Sequence, residues 1–89
     1  EGENAAQLYS KETGIEMTVT TTMPGVQVYS GNFLTDRAGK YGATYHKRDA
    51  ICLETQYYPN AMACEIFEKP ILRAGDLYHH TTSFAFSIR

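Results

Sequence analysis

The sequence predicts an all-β fold, an antiparallel β-sandwich or part of one, on three observations. Apolar residues recur with a period of two, the candidate strands are short and divided by Gly- and Pro-containing turns, and no stretch carries an amphipathic-helix pattern. The linkers are mostly too short for crossover helices, which favours antiparallel pairing. A chain of 89 residues holds one small domain at most, so residues 1–89 are read as a single segment.

The elements follow in chain order. Ile15, Met17 and Val19 alternate with Glu16, Thr18 and Thr20, which reads as a half-buried strand over residues 14–22. Met23-Pro24-Gly25 ends it in a turn. Val26-Gln27-Val28-Tyr29-Ser30 forms the next strand, with Val26 and Val28 on one face and Gln27 and Tyr29 on the other. Residues 35–42, with Asp36, Gly39 and Gly42, read as a loop, and residues 43–46 as a short strand. In the strand over residues 50–56, Ile51 and Leu53 point one way and Cys52, Glu54 and Gln56 the other. Pro59 stops this strand because it cannot donate to a ladder. Residues 60–70 have weak periodicity and leave two readings open, one helical turn or an irregular crossing. Ala74-Gly75-Asp76 is a tight turn before the longest strand, residues 77–88, which places Tyr78, His80, Thr82, Phe84, Phe86 and Ile88 on one face. Gly25, Gly31 and Gly75 read as turn or close-approach glycines.

Composition narrows the function. A net charge of −2 argues against nucleic acid, which needs a basic surface, and Lys47-Arg48 is too short to form one. No apolar run approaches the roughly 20 residues that span a bilayer, so no membrane partner is expected, and no signal-peptide pattern is visible. The chain opens at Glu1 without an initiator Met, so its first residue carries no targeting information. Cys52 and Cys64 match no zinc spacing; two reduced thiols in a cytoplasmic protein fit better than a disulfide, which the sequence alone leaves open.

One residue stands out chemically. Glu54 lies mid-strand beside Ile51 and Leu53, and a carboxylate at the centre of a sheet costs desolvation energy unless it is paired. Partial burial raises a carboxyl pKa, which suits a general base near neutral pH. From pattern alone, an exposed Glu on a solvated strand face is the commoner explanation.

Three segments shift that balance. Thr22-Met23-Pro24-Gly25-Val26-Gln27-Val28-Tyr29-Ser30-Gly31-Asn32-Phe33-Leu34 is followed by Cys52-Leu53-Glu54-Thr55-Gln56-Tyr57-Tyr58-Pro59-Asn60-Ala61. Pro70-Ile71-Leu72-Arg73-Ala74-Gly75-Asp76-Leu77-Tyr78 then runs into His80-Thr81-Thr82. In this order they resemble the C-terminal signature of the aldose 1-epimerase (galactose mutarotase) family. The resemblance implies the C-terminal part of a galactose mutarotase-like supersandwich. It also implies interconversion of the α and β anomers of free aldoses such as galactose or glucose. In that chemistry a Glu takes the anomeric hydroxyl proton while a His protonates the ring oxygen. Glu54 matches the catalytic Glu, and Gln27 matches a substrate-binding Gln whose amide can donate to and accept from sugar hydroxyls. No metal or cofactor is implied.

The chain also departs from the family. The His acid belongs to N-terminal segments that these residues do not include, so the chain alone is expected to be inactive. Its implied partners are a monosaccharide and either the missing N-terminal part of the domain or, through exposed strand edges, a second copy. A non-catalytic carbohydrate-binding or structural fragment is the alternative. Asn60 stands where the family has Asp, and residues 61–69 diverge. His79 and His80, adjacent on the expected last strand, would face opposite ways and read as strand residues, and His46 as a solvated loop residue.

Overall fold

A computed structural model describes residues 2–89. Seven strands run antiparallel wherever they pair, and no α-helix occurs among the described residues. The expected all-β, antiparallel class is therefore what the chain forms.

The main sheet has the order β1-β2-β7, with β1 at Glu3–Tyr9, β2 at Ile15–Thr21 and β7 at Thr82–Ile88. Its register sets Leu8 opposite Met17 and Ala6 opposite Val19. On the other side Ile88, Phe86, Phe84 and Thr82 lie opposite Ile15, Met17, Val19 and Thr21. The alternation in β2 thus continues across the sheet as one apolar face. Val19, at its centre, is fully buried, and the opposite face ties Glu16 to the Arg89 guanidinium at 2.5 Å.

β1 was not anticipated from the sequence. It carries no β-branched residue and is largely exposed, and a bulge between Asn4 and Ala6 breaks its register. β2 offers a free edge, and pairing with that edge outweighs the weak intrinsic preference of these residues.

The last strand is shorter than the 77–88 expected. Its ladder begins with Thr21↔Thr82, because β2 ends there and the chain turns away at residues 22–24. Residues 77–81 therefore lack a strand partner on β2, and their side chains do not alternate across a sheet.

A second ribbon pairs β3, Gly25–Tyr29, with β6, Cys52–Gln56. Between them, the expected loop contains half of a small hairpin: β4, Arg37–Ala38, pairs with β5, Thr44–Tyr45. Of the two readings of residues 60–70, the helical turn is found, a 3-10 turn at Ala61–Ala63. The Arg73–Asp76 turn is closed by an Asp76 N–H···O=C Arg73 bond of 3.0 Å and by the Asp76 carboxylate accepting from Arg73 N–H at 3.1 Å. Gly25 is a close-approach glycine, since a Cβ there would lie 2.8 Å from the Tyr58 ring.

Three threonines join ribbon and sheet. Thr82 Oγ1 lies 2.9 Å from Thr21 Oγ1 and 2.8 Å from Thr55 Oγ1. Thr21 and Thr82 belong to the apolar face of the main sheet, so the Thr55 face of the ribbon is the one turned toward that sheet. Ile51, just before β6, accordingly lines an apolar cleft of about 410 Å³ with Leu8, Tyr9, Ile15 and Met17.

Candidate functional site

The ribbon register decides how the predicted residues meet. β3 and β6 pair as Gly25↔Gln56, Val26↔Thr55, Gln27↔Glu54, Val28↔Leu53 and Tyr29↔Cys52. Residues directly opposite in an antiparallel pair share a face, with Cβ atoms about 5 Å apart. Gln27 and Glu54 are therefore cross-strand neighbours. Their face also carries Tyr29, Cys52 and Gln56, and it points away from the main sheet because Thr55 on the other face points toward it.

Both Gln27 and Glu54 are exposed in this chain. For Glu54 this is the commoner reading from pattern, an exposed Glu on a solvated strand face, rather than the partial burial that would raise its pKa, because the outer face of the two-stranded ribbon has no second layer over it. A cavity of about 660 Å³ lies elsewhere, between Gly2–Ala5 and residues 21–26, and neither Gln27 nor Glu54 lines it.

Aromatic side chains fix the surroundings of the ribbon. Tyr29 Oη accepts a 3.0 Å bond from the Phe33 N–H, and the two rings stack at 6.3 Å with 12° between planes. Tyr58 packs on Phe67 at 4.7 Å. Tyr57 meets His80 edge-on at 5.9 Å.

His79 and His80, expected on the last strand, both precede it. His80 is not on a strand: its Nδ1 lies 3.0 Å from Thr22 Oγ1 and its Nε2 3.4 Å from Tyr57 Oη. Its ring nitrogens are thus taken by hydroxyls rather than by Glu54. His46 is a solvated loop residue as expected, but it has a partner in Asp36, at 2.6 Å from Nδ1. That hydrogen bond raises its pKa above the ordinary 6.5; desolvation works against the rise, and the charges of Asp36 and Asp49 add to it.

Sequence reasoning missed the contacts of His80 and the Thr21–Thr82–Thr55 chain. The available signal was the run Thr20-Thr21-Thr22 facing Thr81-Thr82, two hydroxyl-rich strand ends. Both cysteines are free. Among the described residues, no three His, Cys, Asp or Glu side chains gather closely enough for a metal ion, and no helix is long and apolar enough to cross a membrane.

Comparison with known proteins decides the family. The aldose 1-epimerase family model matches residues 1–85. The chain belongs to the aldose 1-epimerase family. It is 45% identical over 84 residues to the galactose mutarotase of Homo sapiens and 44% identical over 84 residues to that of Sus scrofa, in each case across 93% of this chain. The aldose 1-epimerase of Escherichia coli strain K12 is 30% identical over 84 residues, 92% of the chain. The chain spans about a quarter of the length of these relatives. Both Gln27 and Glu54 fall inside the matched residues.

Proposed function

We propose that this chain supplies the base half of an aldose 1-epimerase site, acting on the anomers of free aldoses such as galactose or glucose. The observation that carries the reading is the direct Gln27↔Glu54 pairing on one exposed face of the ribbon. Two residues fixed about 5 Å apart can address neighbouring hydroxyls of one pyranose. Glu54 accepts the proton of the anomeric hydroxyl, and the ring C1–O5 bond breaks as O5 takes a proton from a His outside these residues. Rotation about C1–C2 presents the other carbonyl face. O5 then re-adds, returning its proton to the His as Glu54 gives one back to the new anomeric hydroxyl. Gln27 holds a sugar hydroxyl through an amide that both donates and accepts. Free Cys52 and Cys64 fit a reducing, cytoplasmic setting.

The test is Glu54→Gln in the complete polypeptide that carries these residues. A positioned general base contributes about 10²–10⁴-fold, so mutarotation of fresh α-D-galactose followed by polarimetry is expected to fall by that order. Full activity in the variant would remove Glu54 from the base role and leave a sugar-binding or structural module as the better reading.

A further inference from the structure

The Gln27–Glu54 pair works only if the ribbon is held at a fixed angle, and its attachments to the rest of the chain are few. One is the threonine chain through Thr82. Another is the packing of Ile51 against the main sheet, and further polar contacts converge on His80 and Thr81. Thr22 N–H donates to Thr81 C=O at 3.1 Å, Thr81 N–H donates to Thr22 Oγ1 at 3.0 Å, and His80 Nδ1 meets the same hydroxyl at 3.0 Å. Thr22 begins the turn that enters β3, while Tyr57, at the other His80 nitrogen, is the first residue after β6. His80 thus touches both the entry and the exit of the ribbon that carries the candidate site.

The ring is suited to that task. A neutral imidazole has one N–H donor and one acceptor, and a hydroxyl can serve either role. One consistent arrangement has the Thr22 hydroxyl donating to Nδ1 while Nε2–H donates to the Tyr57 oxygen. The Tyr57 contact is long at 3.4 Å, but edge-on packing at 5.9 Å reinforces it, and Tyr78 holds the ring from another side at 5.0 Å. The ring is half-buried, in a setting where such contacts are screened less than in water.

We propose that His80 is a positioning residue for catalysis: by bridging Thr22 and Tyr57 it fixes the β3–β6 ribbon so that Gln27 and Glu54 meet the sugar together. It touches no substrate and transfers no proton in the reaction. The inference rests on the reading of Glu54 and Gln27 given above.

The experiment uses the complete polypeptide and compares His80→Ala, Tyr57→Phe, the double variant and Glu54→Gln, with kcat and KM for α-D-galactose and with Tm. A misplacement of 1 Å can cost about 10²-fold, so the smaller shifts in His80→Ala and Tyr57→Phe are each expected to lower kcat about ten-fold, with a smaller rise in KM from the displaced Gln27. The two act in series, so the double variant is expected to be no slower than His80→Ala. A lower Tm with unchanged kcat per folded enzyme would make the bridge structural only and overturn the inference. If His80→Ala does not fold, Tyr57→Phe, which deletes a single hydroxyl, decides the question. An inactive Glu54→Gln beside an unimpaired Tyr57→Phe sinks only the role of His80; a fully active Glu54→Gln sinks the site itself.

Discussion

His46 shows how a single exposed contact makes one residue respond to pH. Its Nδ1 faces an Asp36 oxygen at 2.6 Å, its backbone N–H donates to Asp49 Oδ2 at 2.8 Å, and the pKa lies above 6.5, chiefly through the Asp36 hydrogen bond. A histidine whose folded pKa is raised stabilises the fold fully below its unfolded value. That contribution is lost as pH rises through the higher folded value. The relevant window therefore opens near 6.5 and extends upward. In an NMR titration of the imidazole, Asp36→Asn is expected to bring the His46 midpoint back toward 6.5; an unmoved midpoint would show that Asp36 is not the cause. Glu54 teaches the opposite lesson. Its exposed, mid-strand place is the commoner reading of the alternating Leu53-Glu54-Thr55-Gln56 pattern and is what the structure has, whereas its role as a base rests on the family resemblance and the proposal above.

At the scale of elements, Thr82 is the joint between sheet and ribbon. Replacing it with Val keeps the shape and removes the hydroxyl that meets both Thr21 and Thr55. Thr21 is only 5% exposed and would lose that partner, although its Oγ1 would still accept from the Met23 N–H. Urea denaturation is expected to show Thr82→Val less stable by about 1–2 kcal/mol, with Thr82→Ser close to the parent. Equal stability of the Val variant would show that the hydroxyl chain contributes nothing. The strands themselves were unequally legible. β2, β3 and β6 announce themselves because each alternates, and alternation is a property of the residues alone. β1 and the start of β7 are set by β2: one strand exists because an edge is free, the other begins where its antiparallel partner ends. The pairing of Gln27 with Glu54 was likewise hidden, since register is a relation between two strands.

As a whole molecule, the chain is open. Its radius of gyration is 16.5 Å, against about 12 Å for a compact domain of 89 residues. The apolar face of the main sheet is sealed at Val19 but leaves Phe86 68% and Ile88 77% exposed. With no layer over the Glu54 face and both His80 nitrogens engaged by hydroxyls, the isolated chain is expected to leave the mutarotation of α-D-glucose at its spontaneous rate. A catalysed component proportional to chain concentration in polarimetry would contradict this. The order β1-β2-β7 also bears on how the chain is made. β1 meets β2 across a short turn, and that hairpin can form as soon as it leaves the ribosome. The other edge of β2 must wait for Thr82, 61 residues after Thr21. Closing so long a loop is slow, and until it closes Val19 has β1 beside it but no β7. During synthesis the centre of the sheet is thus a waiting edge strand, and the bulge near Asn4 falls on the one strand partner that the described residues offer it in that interval.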